Sequence, residues 1–376
     1  MKLENIQTPA LVLDQARMTS NAERMMSRMK QLGVHLRPHM KTNKSIGVAS
    51  CIVAEDFTGI TVSTVAEAEY FCDNGVSDIT VAACIVPSRL DRIATLNRNG
   101  AEVKVITDNV GVAEAITQHP GPHHVLIEID CGEHRTGLEP GDRRIVEIAS
   151  LISKSSTARF AGVLTHAGHS YLCRSVDEMI RVAEIERSAV VGVAEMLSGQ
   201  GMECAIVSVG STPTATFANN LTGVTEARPG VFVFQDLFQA GIGTCQIDDI
   251  ALSVLASVIS HRPELNQMMI DAGGLALSKD RSTAALENDC GYGLVCDAAT
   301  GELIPGLKVN GVHQEHGMLT SDHPLNFDQF PVGSQVRILP NHVCMTAAAY
   351  DTYHVIDGRT DEPSEVIAKW GRCNGW

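Results

Sequence analysis

Along the first 255 or so residues, short apolar runs alternate with longer segments in which apolar positions recur at helical spacing. Val34-His35-Leu36-Arg37 alternates apolar and polar residues at period two, the pattern of a strand. Further apolar strands are expected near 59–63, 78–84, 102–107, 124–130, 159–165, 205–209 and 226–232, most of them trailed by an Ala-rich segment of helical character. Before them, 8–14 reads as a short strand and 18–32 as a helix. Met25, Met26 and Met29 of that helix recur at helical spacing as core filler, and Gly33 is its stop. Strands alternating with helices imply a parallel sheet, and about eight such units imply a closed (β/α)8 barrel; an open doubly wound sheet has the same periodicity. Past residue 255 the helical period fades. Strands at 253–259, 267–272, 292–297, 303–309, 335–339 and 353–356 predict an antiparallel β domain. The expected architecture is α/β: a barrel over 9–255, then a C-terminal β domain over 256–376 that also takes in 1–8.

A length of 376 residues suits such a division. The net charge of −15 argues against non-specific binding to nucleic acid or anionic membrane, so an anionic ligand would need a local basic pocket. The first seven residues carry no apolar signal core, and no apolar run approaches a membrane span. Eleven cysteines, an odd number with no Cys-x-x-Cys pair, read as reduced thiols and point to the cytoplasm.

The chemistry concentrates after the 34–37 strand, in Arg37-Pro38-His39-Met40-Lys41-Thr42-Asn43-Lys44. Continued as a strand, this places Arg37, His39 and Lys41 on one face, with Pro38 at an irregular point. Neighbouring positive charge lowers a lysine pKa and makes its amine a nucleophile toward an aldehyde. Lys44 is the alternative amine, and a basic strand end also serves as an anion site or a solvated rim. In a barrel, chemistry sits at the C-terminal strand ends. After 124–130 comes Arg135, an anion or phenolate partner or else a loop arginine in solvent. After 159–165 comes Thr165-His166-Ala167-Gly168-His169-Ser170-Tyr171, a polar cluster or a neutral His–Tyr network. After 205–209 comes Gly210-Ser211-Thr212, a phosphate cradle or an ordinary helix cap. Arg228-Pro229-Gly230-Val231 follows. In the β domain, an extended backbone would put His342 and Cys344 on one face. Imidazole with thiolate suits Zn²⁺, and two ligands leave room for water or substrate, as a catalytic metal needs. An incidental pair is the alternative.

The Arg-Pro-His-x-Lys-x-x-Lys segment at Arg37–Lys44 resembles that of the D-serine dehydratase and D-threonine aldolase family, and the likeness extends over nearly the whole chain. The resemblance implies an alanine-racemase-like fold and pyridoxal 5′-phosphate (PLP) carried on Lys41, which also acts as general base. It implies Arg135 near the phenolic oxygen of PLP, His166 and Tyr171 beside the cofactor, Arg228 at the ring nitrogen, and Gly210, Ser211, Thr212, Gly230 and Val231 around the phosphate. It also raises His342-x-Cys344 to a metal site, with zinc the expected ion. A permanent cation on the ring nitrogen weakens the ring as an electron sink, so the metal would serve as a second electrophile on the β-hydroxyl. The implied reaction is β-elimination from a D-3-hydroxy amino acid to a 2-oxo acid and ammonia. Retro-aldol cleavage to glycine and an aldehyde is the alternative; racemisation or non-catalytic cofactor binding stands further off. A homodimer is expected. Tyr292 and His316, the latter in Gln314-Glu315-His316-Gly317, receive no role.

Overall fold

A computed structural model describes residues 1–52, 59–360 and 362–376. The chain begins with β1 (Ala10–Asp14) and α1 (Gln15–Gln31), then runs through β2 (His35–Leu36), α2 (Ile46–Ile52), β3 (Ile60–Val62), α3 (Val65–Asp73), β4 (Asp78–Cys84) and α4 (Leu90–Arg98). It continues with β5 (Glu102–Thr107), α5 (Val110–Gln118), β6 (His123–Ile129), α6 (Arg144–Ser153), β7 (Ala158–Thr165), α7 (Val176–Ser198), β8 (Ile206–Val209), α8 (Thr212–Phe217) and β9 (Glu226–Ala227). Two compact units form: one from 24–44, 53–230 and 373–376, the other from 1–23, 45–52 and 231–372. They divide at 44/45 and 230/231 rather than near 255, and β1 pairs within the second unit.

The first unit is the parallel barrel. Its eight strands lie in the order β2-β9-β8-β7-β6-β5-β4-β3, and every pairing is parallel. The ring closes beyond β2, where the Met40 N–H donates to the Thr61 carbonyl at 2.7 Å and the Thr61 N–H to the Pro38 carbonyl at 3.0 Å. Lys41 is therefore the first residue past the closing contacts. The strands are near-continuous apolar runs because both faces are covered, by side chains inside and helices outside. Local signals fix the helix starts. Thr64 caps α3 through the Glu67 N–H while Glu67 Oε2 accepts the Ser63 N–H at 3.0 Å, a reciprocal cap. Ser175 starts the 23-residue α7 in the same way, by accepting from the Glu178 N–H. The expected strand 226–232 is only two residues long. Pro229 supplies no N–H, and 231–233 coils into a 3₁₀ turn.

The second unit adds α9 (Leu237–Gly241), β10 (Leu252–Arg262), β11 (Gln267–Ile270), α10 (Gly274–Leu277), β12 (Gly293–Asp297), β13 (Leu303–Val312) and β14 (Gly317–Ser321). It ends with β15 (Gln335–Pro340), α11 (Val343–Ala347), β16 (Thr352–Ile356) and β17 (Val366–Gly371). The sheet order is β11-β14-β13-β12-β15-β10-β1-β16-β17, and a β10–β11 pairing curls the first six strands into a barrel-like ring. All pairings are antiparallel except β1 with β16. β14 and β17 were not among the strands expected from the sequence. No helix among the described residues is long and apolar enough to cross a membrane.

Candidate active site and metal pair

A cavity of about 270 Å³ opens at the C-terminal ends of the parallel strands. Lys41 and His39 enter it from the β2 extension, Cys84 from β4, Glu128 from β6, Leu164 from β7, Arg135 and Thr136 from the loop after β6. His166, Gly210 and Arg228 line it from just past β7, β8 and β9. The two candidate amines separate clearly. Lys44 is turned onto the buried Glu67, with Nζ 3.1 Å from the carboxylate, whereas Lys41 opens into the cavity. Arg135 is largely exposed and pairs with Glu133 at 3.2 Å.

Arg37 does not join this face. It is 3 % exposed and points into the barrel, where Nε donates to Glu226 at 2.6 Å and the other two nitrogens grip Asp78 at 2.8 and 3.0 Å. Glu226 also accepts from the Ser208 hydroxyl at 2.7 Å, and Ser208 accepts from Arg228. A buried chain thus runs from Lys104 and Asp78, at the strand starts, through Arg37, Glu226 and Ser208 to Arg228 at the cavity. Burial opposes the charge of Arg37, but the two carboxylates outweigh it. The cations facing Lys41 are instead Arg228 and Arg135, and they act on the imidazoles. Burial, Lys41 and Arg228 hold His39 well below its ordinary value. Burial and Lys41 lower His166 to about 3, against a hydrogen bond from its Nδ1 to the Gly210 carbonyl. Both rings are neutral at physiological pH.

The other expected residues fall into place unevenly. Ser211 and Thr212 are buried; Ser211 caps α8 by accepting the Thr214 N–H at 3.2 Å. The Gly210 amide is not an open phosphate donor, because it donates to Glu186 at 3.0 Å. Gly230 leaves no room for a side chain: a Cβ there would lie 3.0 Å from the His39 carbonyl oxygen. Val231 opens the 3₁₀ turn Val231–Val233. Tyr171 sits half-buried in the 3₁₀ turn Gly168–Leu172 and is not among the cavity-lining residues. The fit to PLP rests on three features: a positively charged cavity around an amine, a neutral imidazole at its wall, and the buried Thr212 Oγ1, which has no hydrogen-bond partner among the described residues.

Cys84, Asp108 and Glu128 bring their donor atoms within 4.8 Å of one another at the cavity. Burial and the two carboxylates push the Cys84 thiol far up, and it donates to Glu128 at 3.2 Å. A thiol held protonated in this way is a poor metal ligand.

His342 and Cys344 lie not on a strand but at the start of the short α11, with His342 as its N-cap residue. The cause is distant in sequence. Asp236, 1 % exposed, accepts the Val343 N–H at 2.9 Å and the Gln239 N–H at 2.8 Å, bending the chain into the turn. His342 Nδ1 contacts Asp280 at 2.6 Å, and its side chain also hydrogen-bonds Cys344. Burial lowers the His342 pKa, but Cys344, Asp236 and Asp280 outweigh it and push the imidazole up to about 10. A carboxylate on Nδ1 with a thiol close to the ring suits an arrangement in which an outer acid orients a metal-bound histidine. The donor set fits a divalent ion with softer character, and a third ligand must come from elsewhere.

The fold and these strand-end residues define an alanine-racemase-like protein. The family model of the alanine racemase N-terminal domain matches residues 13–237, and that of the serine dehydratase domain matches residues 251–356. The chain is 42% identical to D-threo-3-hydroxyaspartate dehydratase of Delftia sp. (strain HT23), over 100% of this chain and 99% of the relative. A solved structure of that enzyme, a cysteine-to-alanine mutant in the metal-free form, superposes with a TM-score of 0.95 at 42% identity and covers 100% of both chains. D-serine dehydratase of Dictyostelium discoideum is 31% identical over 94% of each chain. D-threonine aldolase of Arthrobacter sp. is 28% identical over 98% of this chain and 94% of its own. The chain belongs to the serine dehydratase family of alanine-racemase-like proteins.

Proposed function

We propose that the chain is a PLP- and metal-dependent lyase that removes water from a D-3-hydroxy amino acid by β-elimination, releasing a 2-oxo acid and ammonia. The observation that carries the reading is the contrast between the two lysines: Lys44 is bound to Glu67 while Lys41 opens into a cationic cavity. PLP would supply an electron-withdrawing ring that acidifies the α-hydrogen of an attached amine. Lys41 would carry the cofactor, and its amine is then the base for the α-proton. Neutral His166 presents a ring face without adding a further cation. Arg228, tied below to Ser208 and Glu226, presents a fixed guanidinium, with Arg135 as a second cation at the rim. Buried Thr212 Oγ1 is a donor for the phosphate. His342 and Cys344 would hold zinc, whose chemistry is to make the β-hydroxyl a leaving group.

The aldolase relative supports a second reading, cleavage of Cα–Cβ to glycine and an aldehyde. A thiol at 344 favours the dehydratase. A homodimer in the cytoplasm completes the proposal; the eleven cysteines, all free thiols, agree with a reducing compartment. Product analysis over a panel of D-3-hydroxy amino acids tests the reaction. Ammonia with a 2-oxo acid is expected; glycine with an aldehyde would replace the dehydratase by the aldolase, and an inert panel would end both.

A further inference from the structure

Glu186 lies midway along α7, is 2 % exposed and is not among the residues lining the Lys41 cavity, yet it touches both loops that bear on the candidate cofactor site. Its Oε1 accepts the N–H of Ala167 at 3.0 Å and the N–H of Gly210 at 3.0 Å. Ala167 directly follows His166 at the end of β7, and Gly210 directly follows β8. The Thr214 hydroxyl of α8 also bonds the carboxylate, and Arg228 adds an attractive charge. The same loops meet again through Ser170 Oγ and Ser211 Oγ, 2.9 Å apart.

An interior helix position with only a packing duty would be apolar, like Ala183 and Val190 on the same helix. Burial pushes the Glu186 carboxyl pKa up, and the bonds from Thr214, Gly210 and Ala167 offset only part of that desolvation cost. Without an acceptor at this point, two buried backbone N–H groups would be left without partners. One oxygen atom therefore holds both backbone amides at once, joining the His166–Gly210 and Ser170–Ser211 bonds in setting the spacing between the His166 segment and the start of the Gly210-Ser211-Thr212 turn.

We propose that Glu186 is a positioning residue that sets the distance between His166 and the Ser211–Thr212 turn, and so the affinity of the site for the phosphate end of PLP. This rests on the PLP reading above. The role belongs to the accepting oxygen and its reach, not to the negative charge. E186Q keeps an oxygen at the same distance, whereas E186D keeps the charge but withdraws it by one methylene, and E186A removes both.

The test is equilibrium binding of PLP, and in parallel of pyridoxal without phosphate, to apo-protein of the wild type and the three variants, with circular dichroism as the check on folding. E186D and E186A are expected to bind PLP roughly tenfold or more weakly, the scale set by unpaired buried amides. Pyridoxal binding should change less, and E186Q should recover most of the PLP affinity. Wild-type PLP affinity in folded E186D or E186A would overturn the proposal, and so would E186Q binding as weakly as E186D. If E186A fails to fold, the E186Q and E186D pair still decides. A wild-type protein that binds no PLP would overturn the cofactor reading itself, a result distinct from any ordering among the variants.

Discussion

Histidine meets two opposite environments in this protein. At the barrel mouth, His39 and His166 face Lys41, Arg135 and Arg228, and both are driven neutral. At the start of α11, His342 faces Cys344, Asp236 and Asp280, and the imidazole is driven up to about 10. Burial lowers all three, so the difference lies in the neighbours: cations at the mouth, against hydrogen bonds to Cys344 and Asp280 and negative charge at the α11 turn. The neighbouring charges favour a negative group at the mouth and a positive one at the α11 turn, in keeping with the proposed PLP phosphate and divalent metal.

The sharpest break of this comparison is at the two lysines. Lys41→Ala should fold, lose turnover by several orders of magnitude and lose the visible cofactor band that borohydride reduces. Lys44→Ala should keep the band but lose stability, about 3 kcal/mol in urea unfolding, because Glu67 is left buried without its cation, held by the Ser63 N–H and the Thr64 hydroxyl. A band that survives in Lys41→Ala would transfer the role to Lys44.

The α11 turn should break differently. Chelation is expected to abolish elimination while leaving the cofactor band and the circular dichroism intact, with zinc restoring activity and Cys344→Ala mimicking chelation. Turnover by metal-free protein at the untreated rate would return His342 and Cys344 to a structural pair.

The chain of charges beneath the mouth should matter for folding. Glu226→Gln leaves Arg37 with Asp78 alone and weakens the hold on Ser208 and Arg228. A loss of about 3 kcal/mol or more is expected in the unfolding free energy, read as a lower denaturation midpoint; an unchanged midpoint would mean the chain carries no net stability.

The neutral histidines give an effect that is small near neutral pH and grows as the pH falls. Their folded pKa values lie below the unfolded value near 6.5, so the unfolded chain binds more protons as pH falls. The contribution of these two groups to apo-protein stability should therefore be full above about pH 6.5 and decline below it toward pH 3, with a slope approaching about 1.4 kcal/mol per pH unit for each histidine, whereas the raised His342 acts in the opposite sense and loses stability as pH climbs from about 6.5 toward 10. His39→Asn with His166→Asn should flatten that decline.

The barrel was legible because each of its strands is a local apolar run, from Val34 to Ala227, and pairing merely aligned them. β14 escaped notice because Gly317-Met318-Leu319-Thr320-Ser321 has weak alternation and is defined by its partners β11 and β13. Lys41 was legible from its motif. The inward turn of Arg37 was not, since Glu226 and Asp78 that capture it are far away in sequence, although Glu226 and Arg228 share a strand-end period of two. Glu186 had no local signal: an acidic residue within a long helix reads as solvated until the helix is packed. His342 and Cys344 were found as a pair, but their extended spacing gave way to a turn because Asp236 reaches the Val343 amide.

The central claim is that Lys41, and not Lys44, holds the cofactor in a cavity that keeps its histidines neutral. The direct measurement is borohydride reduction of the PLP-loaded protein followed by fragmentation mass spectrometry of the peptide that contains both lysines. The reduced pyridoxyl group is expected on Lys41. A label on Lys44, or on any lysine outside that peptide, would contradict it.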